Sequence, residues 1–235
     1  MAIGDVLREA WALYTRFLGR FFLTALVVFA VLDLLSALAN EATGEGWLSA
    51  LIWGLIAAAI GIVGYFWVQA ALVETVNDVR DGRADRSIGE TFREVRPRLP
   101  AAIGAGIVAA IAIGIGFLLL IVPGLYLLTI WSMLIPVIVL ERRRAGEAFT
   151  RSQEIVRGNG WRMLGLVLVT FLLVGIAEGI ISALFAPLPD FLDAWLGSLV
   201  AHSLTVPFAA AALTTAYFQL TRGAAAEATI PASSG

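Results

Sequence analysis

Three ionisable side chains lie inside otherwise apolar runs of this chain: Asp33, Glu178 and His202. Charge at membrane depth is expensive and usually faces a cavity or a partner, so chemistry is sought there first. Counted from the expected outer end of each run, all three sit at similar depth, about 9 to 10 Å in at the helical rise. Two carboxyls and an imidazole in one layer suit an outward-opening polar pocket for a cation, a proton or a polar head group. An alternative reading makes each carboxyl neutral or turned to the near interface, with His202 a packing residue. Shared depth does not choose between them.

The rest of the reactive repertoire is thin. There is no Cys and no Lys, and His202 is the single His. Disulfides, thiolate nucleophiles, Schiff-base and P-loop lysines and His-rich zinc sites are therefore excluded or nearly so. Neither a Gly-x-Ser-x-Gly elbow nor a His-Glu-x-x-His pair occurs. The expectation is a protein that is not an enzyme, with no metal site and no cofactor. A sequence pI near 5.5 argues against nucleic-acid binding.

The elements that must carry these residues follow from composition. Of 235 residues, 60% are apolar and 14% charged, against roughly 45–50% and 25% in soluble domains; mean hydropathy is +0.88. Six apolar stretches run from Phe21 to Ala39, Trp47 to Val73, Pro100 to Val122, Leu125 to Leu140, Trp161 to Phe185 and Leu196 to Leu220. The fourth reaches only about 24 Å, so it should be recessed from one face or continue past Glu141. Connections one, three and five are brief, which implies antiparallel hairpins, with Pro123-Gly124 as a tight outer turn. The fold class expected is all-α and polytopic, with six transmembrane helices in three hairpins.

Every one of the 16 basic residues is an arginine, and all fall in the N-terminal segment, the second and fourth connections or the tail. The odd connections hold Glu41, Glu45, Asp190 and Asp193 instead. Arginines near membrane ends stay in the cytoplasm, so both termini are expected there, in a bacterial-type inner membrane. Trp11, Trp47, Trp161 and Trp195 fall at expected interfaces, where amphipathic rings sit. Ala37-Leu38-Ala39 has the form of a signal-peptide cleavage site, but Asp5, Glu9 and Asp33 argue against a leader.

A repeat organises the chain. Ile3-Gly4-Asp5-Val6-Leu7-Arg8-Glu9-Ala10 aligns with Ile88-Gly89-Glu90-Thr91-Phe92-Arg93-Glu94-Val95, and more loosely with Ala145-Gly146-Glu147-Ala148-Phe149-Thr150-Arg151-Ser152. Each copy has apolar residues at helical spacing and precedes a hairpin. Ser87 with Glu90 forms a capping box, and Gly158-Asn159-Gly160 ends the third copy where a left-handed cap is wanted. One membrane domain over 1–222 is expected, in units of about 1–82, 83–144 and 145–222, with a disordered cytoplasmic tail over 223–235. Each unit is an arginine-bearing amphipathic interfacial helix followed by a hairpin. Ala102, Gly106, Ala110 and Gly114 on the third span, and Gly175, Gly179 and Ala183 on the fifth, form small-residue stripes that allow close packing and point to these spans as central.

The interfacial helices read either as topology anchors or as contacts for anionic lipid head groups, which gain about 1 kcal/mol per Arg near the surface. Twelve acidic residues leave that face at a net +4, which favours anchoring. Arg142, Arg143, Arg144 and Arg151 are the best candidates for a lipid contact. The favoured function is a non-enzymatic membrane protein that contacts phospholipid or a membrane-protein partner. A small transporter or channel using Asp33, Glu178 and His202 is the main rival, and a membrane scaffold subunit a third.

Pro123-Gly124-Leu125-Tyr126, Trp131, Pro136 with Glu141 five residues on, Ala148, Arg151-Ser152, Arg157-Gly158 and Trp161-Arg162 resemble the six-span membrane domain of some bacterial glycerophosphoryl diester phosphodiesterases and of many stand-alone proteins. Glu9-Ala10-Trp11-Ala12-Leu13-Tyr14 is similar too. The resemblance is loose over most of the chain and close over residues 120–165. In fused members a separate soluble barrel does the hydrolysis, and nothing like it stands in this sequence. The resemblance therefore implies fold and topology, and no phosphodiesterase activity. Physically, Glu141 should pair with Arg144 or Arg151 at the membrane edge.

Overall fold

The structure is a computed structural model that describes residues 2–42 and 47–228. It is all-α among the described residues, with six helical segments long and apolar enough to cross a membrane. The side chains of Glu41 and Glu45, and residues 229–235, lie outside the described residues.

Helix α1 (Ile3–Arg16) leads into α2 (Leu18–Ala42), and α3 (Trp47–Val79) completes the first hairpin. Helix α4 (Ile88–Val95) and a 3-10 turn precede α5 (Leu99–Leu119); α6 (Ile121–Ile130) and α7 (Leu134–Leu140) together form the fourth span. Helix α8 (Ala145–Val156) precedes α9 (Gly160–Phe185), and a short α10 (Asp190–Leu192) leads to α11 (Ser198–Ala228). The last helix thus runs past Arg222, where the sequence reading ended the membrane domain.

The three amphipathic helices bury aligned positions. Val6, Ala10 and Tyr14 of the first copy are buried, as are Thr91, Val95 and Leu99 of the second and Ala148, Ser152 and Val156 of the third. Each set repeats every fourth residue, which is one face of a helix. Ser87 and Glu90 form the capping box at α4, and Gly158 takes φ +81 after α8. Both signals come from local chemistry that sequence shows directly.

Two local expectations change. The turn between α5 and α6 is made by extended Leu120 (φ −160, ψ 150), not by Pro123-Gly124. Pro123 instead sits at the third position of α6, where a missing N–H costs nothing because first-turn donors lack helical partners. Gly124 lets α6 approach α5: a Cβ there would lie 2.5 Å from the Phe117 ring.

The fourth span is not one short helix but two, broken at Trp131-Ser132-Met133. Pro136 enters the first turn of α7, so the break falls where its ring would meet the preceding turn. Backbone groups freed in a span need partners. Here Ser152 of α8 supplies them: its hydroxyl donates to the Ile130 carbonyl (2.7 Å) and accepts the Met133 N–H (3.2 Å).

The centre of the bundle also differs from expectation. Helix α11 packs against α1, α2, α3 and α9, and its span and the fourth are the most buried. Of the stripe on the third span Ala102 is buried and Gly106 packs closely on α3, where a Cβ would overlap the Phe66 ring, but Ala110 and Gly114 are exposed. Ala105, Ala109 and Gly116 are the other small residues this span buries. Gly175 and Gly179 face open space and Ala183 is exposed. Small residues permit close packing but do not compel it, and the fifth span turns that stripe outward.

Candidate functional site

Two groups of polar residues lie at opposite ends of the bundle. In the first, Asp33 on α2 and His202 on α11 meet directly: Nδ1 of His202 lies 3.0 and 3.2 Å from the two Asp33 carboxylate oxygens. Asp33 is 7% exposed, and the imidazole stacks at a tilt on Phe29, with ring centroids 5.1 Å apart. Glu178 on α9 does not join this pair. Its Oε1 lies 2.9 Å from the Thr205 hydroxyl, one turn along α11 from His202. That hydroxyl is equally close to the Ala201 carbonyl, so its single hydrogen serves one of the two. The structure therefore brings together two of the three residues, while the third, from α9, meets the adjacent turn of α11 at Thr205. A carboxylate–imidazole pair beside a second carboxylate can exchange a proton or hold a small cation. No group of three His, Cys, Asp or Glu side chains with metal-binding geometry occurs among the described residues.

At the other end, contacts gather the arginine-bearing segments. Arg16 donates to the Gly82 carbonyl (3.3 Å), and Arg20 pairs with the buried carboxylate of Asp78 (2.8 Å). Arg86 pairs with Glu74. The Arg80 guanidinium lies over the Phe218 ring, 4.0 Å from its centroid, and Gln219 donates to Glu9 (2.7 Å). The N-terminal helix, the second connection and the end of α11 thus share one face. Tyr14 ties α1 down by donating to the Leu204 carbonyl (3.0 Å), in the turn of α11 before Pro207. Burial pushes the Tyr14 phenol above its ordinary range.

The four arginines expected to meet lipid are mostly occupied. Arg151 sets Nε 3.0 Å from both oxygens of Glu141 and reaches Glu154 at 3.3 Å. Tyr217 also donates to Glu141 (3.0 Å), so this carboxylate closes α7, α8 and α11 together. Arg142, held at φ +56, reaches Glu94 (3.3 Å); Arg143 lies 3.5 Å from Glu141 and 3.8 Å from Glu147. Only Arg144 of the four has no ion pair among the described residues. Of the two partners expected for Glu141, Arg151 is the one that binds it.

Sequence reasoning passed over a lateral groove of about 760 Å³ between α6 and the start of α9, lined by Tyr126, Ile130, Asn159, Trp161 and Arg162 among others. It adjoins a second hollow of about 620 Å³ that reaches Gln153, Glu154 and Arg157 on α8. The signal available in sequence was the bracket of Arg157 and Arg162 around Gly158-Asn159-Gly160, which reads equally well as a helix boundary.

The family model described as a domain of unknown function (DUF7847) matches residues 55–220. The chain belongs to this family. No curated protein and no solved structure matches it. The DUF7847 match starts within α3 and ends near the close of α11, so it takes in Glu178, His202, the Glu141–Arg151 contact and the groove. Asp33 and the whole of α1 and α2 precede it.

Proposed function

We propose that this chain is a non-enzymatic, multi-pass protein of a bacterial-type inner membrane, with both termini cytoplasmic, and that its arginine-bearing face contacts phospholipid. One observation carries the reading: helices α1, α4 and α8 and the end of α11 meet on a single face that holds the arginines, while Asp190 and Asp193 lie beyond the far end of α9. Such a charge asymmetry is retained on the cytoplasmic side and draws anionic head groups. The resemblance to the phosphodiesterase membrane domain supports the same reading, since catalysis there belongs to a separate barrel.

The chain has no native Cys, so single cysteines report sidedness cleanly. Gly89→Cys on the arginine face and Asp190→Cys at the other are labelled with a membrane-impermeant maleimide in intact spheroplasts and in inverted vesicles. Gly89→Cys should label only in inverted vesicles and Asp190→Cys only in spheroplasts; the reverse pattern refutes the orientation. Lipid contact is read by spin-labelled phosphatidylglycerol against phosphatidylcholine in reconstituted protein, with equal immobilisation of the two counting against it.

A transporter reading is favoured by one observation, the direct Asp33–His202 contact with Glu178 of α9 bound to Thr205 on the adjoining turn of α11. Cation or proton flux in proteoliposomes that is lost on Glu178→Gln would support it. A scaffold role gains if neither lipid selectivity nor flux is found.

A further inference from the structure

We propose that the groove between α6 and the α8–α9 elbow seats one anionic glycerophospholipid, with an acyl chain along α6 and the phosphate between Arg157 and Arg162. This rests on the phospholipid-contact reading above and assigns that contact a place, a ligand class and residues outside the four arginines first considered.

An apolar groove alone says little in a membrane, where every lipid-facing surface is apolar. What distinguishes this one is its polarity profile. Val122, Leu125, Ile130 and Leu164 line the apolar part, and the other end opens at Gly158, Asn159 and Arg162 on the arginine face. The adjoining hollow shares Tyr126, Ile130, Gly158 and Gly160 with it and extends the polar end to Arg157. Tyr126 and Trp161, the latter 87% exposed, flank the space as amphipathic rings do at head-group level. A lipid has the same profile, charged at one end and apolar along its length. The groove's volume lies within the roughly 300–1,000 Å³ of ordinary ligand pockets.

Charge decides the sign of the head group. Arg157 and Arg162 are exposed, and no carboxylate lies within 4.0 Å of either among the described residues. Nearby Arg142, Arg143 and Arg151 are all held by Glu94, Glu141, Glu147 or Glu154. The carboxylate that does line the hollow, Glu154, is turned to Arg151. Arg162 has a single long contact, 3.4 Å to the side-chain oxygen of Asn159, which leaves most of its donors free. Asn159 makes no side-chain cap to the first turn of α9, so those amides add donors at the same spot. Two uncompensated guanidinium groups match a phosphodiester, whereas the cationic head of a zwitterionic lipid would bring a like charge beside them.

The test uses the full chain in phosphatidylcholine nanodiscs with a trace of phosphatidylglycerol bearing a diazirine on one acyl chain. After photolysis, adducts are mapped by mass spectrometry, with a diazirine phosphatidylcholine in parallel. Labelling by the anionic probe should concentrate on α6 and the first turns of α9. At trace probe, yield follows occupancy, and it should fall on the order of thirtyfold in Arg157→Gln/Arg162→Gln, about fivefold for each arginine removed at a membrane surface. Leu125→Trp, which fills the apolar part and leaves both arginines, should also abolish labelling there.

Labels spread evenly over the lipid-facing helices, or a concentrated label indifferent to the double substitution, overturn the proposal. If a preference for the anionic probe then persists elsewhere and falls with Arg144→Gln, the groove is wrong and the broader lipid contact stands. If no preference for the anionic probe exists anywhere, both fail.

Discussion

Ser152→Ala should be among the most damaging conservative changes in this protein. The wild-type hydroxyl is fully buried and serves both sides of the break in the fourth span, donating to Ile130 (2.7 Å) and accepting from Met133 (3.2 Å). Alanine leaves one buried acceptor and one buried donor without their partner. An orphaned buried group costs about 1–3 kcal/mol, and partial relaxation should bring the pair to about 3 kcal/mol in total. Thr170→Val is the matched control. Its hydroxyl is buried with no hydrogen-bond partner, so an isosteric apolar replacement should be neutral or stabilising. Both variants are measured by steric trapping in bicelles, which gives unfolding free energies under native lipid-like conditions. Ser152→Ala within about 0.5 kcal/mol of the parent would mean that the break repairs itself by other means, and the role given to Ser152 would be wrong.

Glycines separate the expected from the observed packing. Gly116→Ala puts a Cβ 3.0 Å from the Gly124 backbone, and the crowding should destabilise by about 1–2 kcal/mol. Gly175→Ala meets open space and should be neutral or gain up to about 1 kcal/mol from helix propensity; bicelle unfolding of both that shows the opposite order refutes the assignment of the central helices. Arg20→Ala leaves the buried Asp78 carboxylate unpaired and should cost about 3 kcal/mol, with a double-mutant cycle against Asp78→Ala showing coupling of at least about 1 kcal/mol. Tyr14→Phe loses the bond to Leu204 and about 1 kcal/mol. Because the folded state raises the Tyr14 pKa, its contribution is complete below the ordinary value of 10.0 and is lost as pH rises beyond it. The gap between parent and Tyr14→Phe should therefore narrow above that pH, and a gap that widens refutes the sign.

Much of the architecture was legible in one dimension. Hydropathy and arginine placement are properties of each segment alone, so six spans, three hairpins and a charged face followed without knowing any contact. The same holds for the capping box at Ser87 and the glycine after α8, which are local chemistry. The repeat alignment was legible too, and the residues it pairs, such as Ala10, Val95 and Ser152, are buried at matching positions. The turn at Leu120 was misread because Pro-Gly is a turn signal in water, whereas a proline in the first turn of a membrane helix is no obstacle.

Facing and pairing were decided only by the tertiary structure. In lipid both sides of a span are apolar, so α3, α5 and α9 carry almost no amphipathic asymmetry to say which side turns inward. Hence the stripe of Gly175 and Gly179 pointed to a central helix that the fold places at the edge. Asp33 and His202 stand 169 residues apart, and sequence alone placed them at one depth without saying that they touch. Likewise an arginine count shows where cations lie, but only the neighbouring carboxylates decide which of them have no ion pair among the described residues, Arg144, Arg157 and Arg162 included. Depth and sidedness are set residue by residue along the chain; contact depends on the rotation of each helix about its own axis, which the bilayer leaves undetermined until the helices pack.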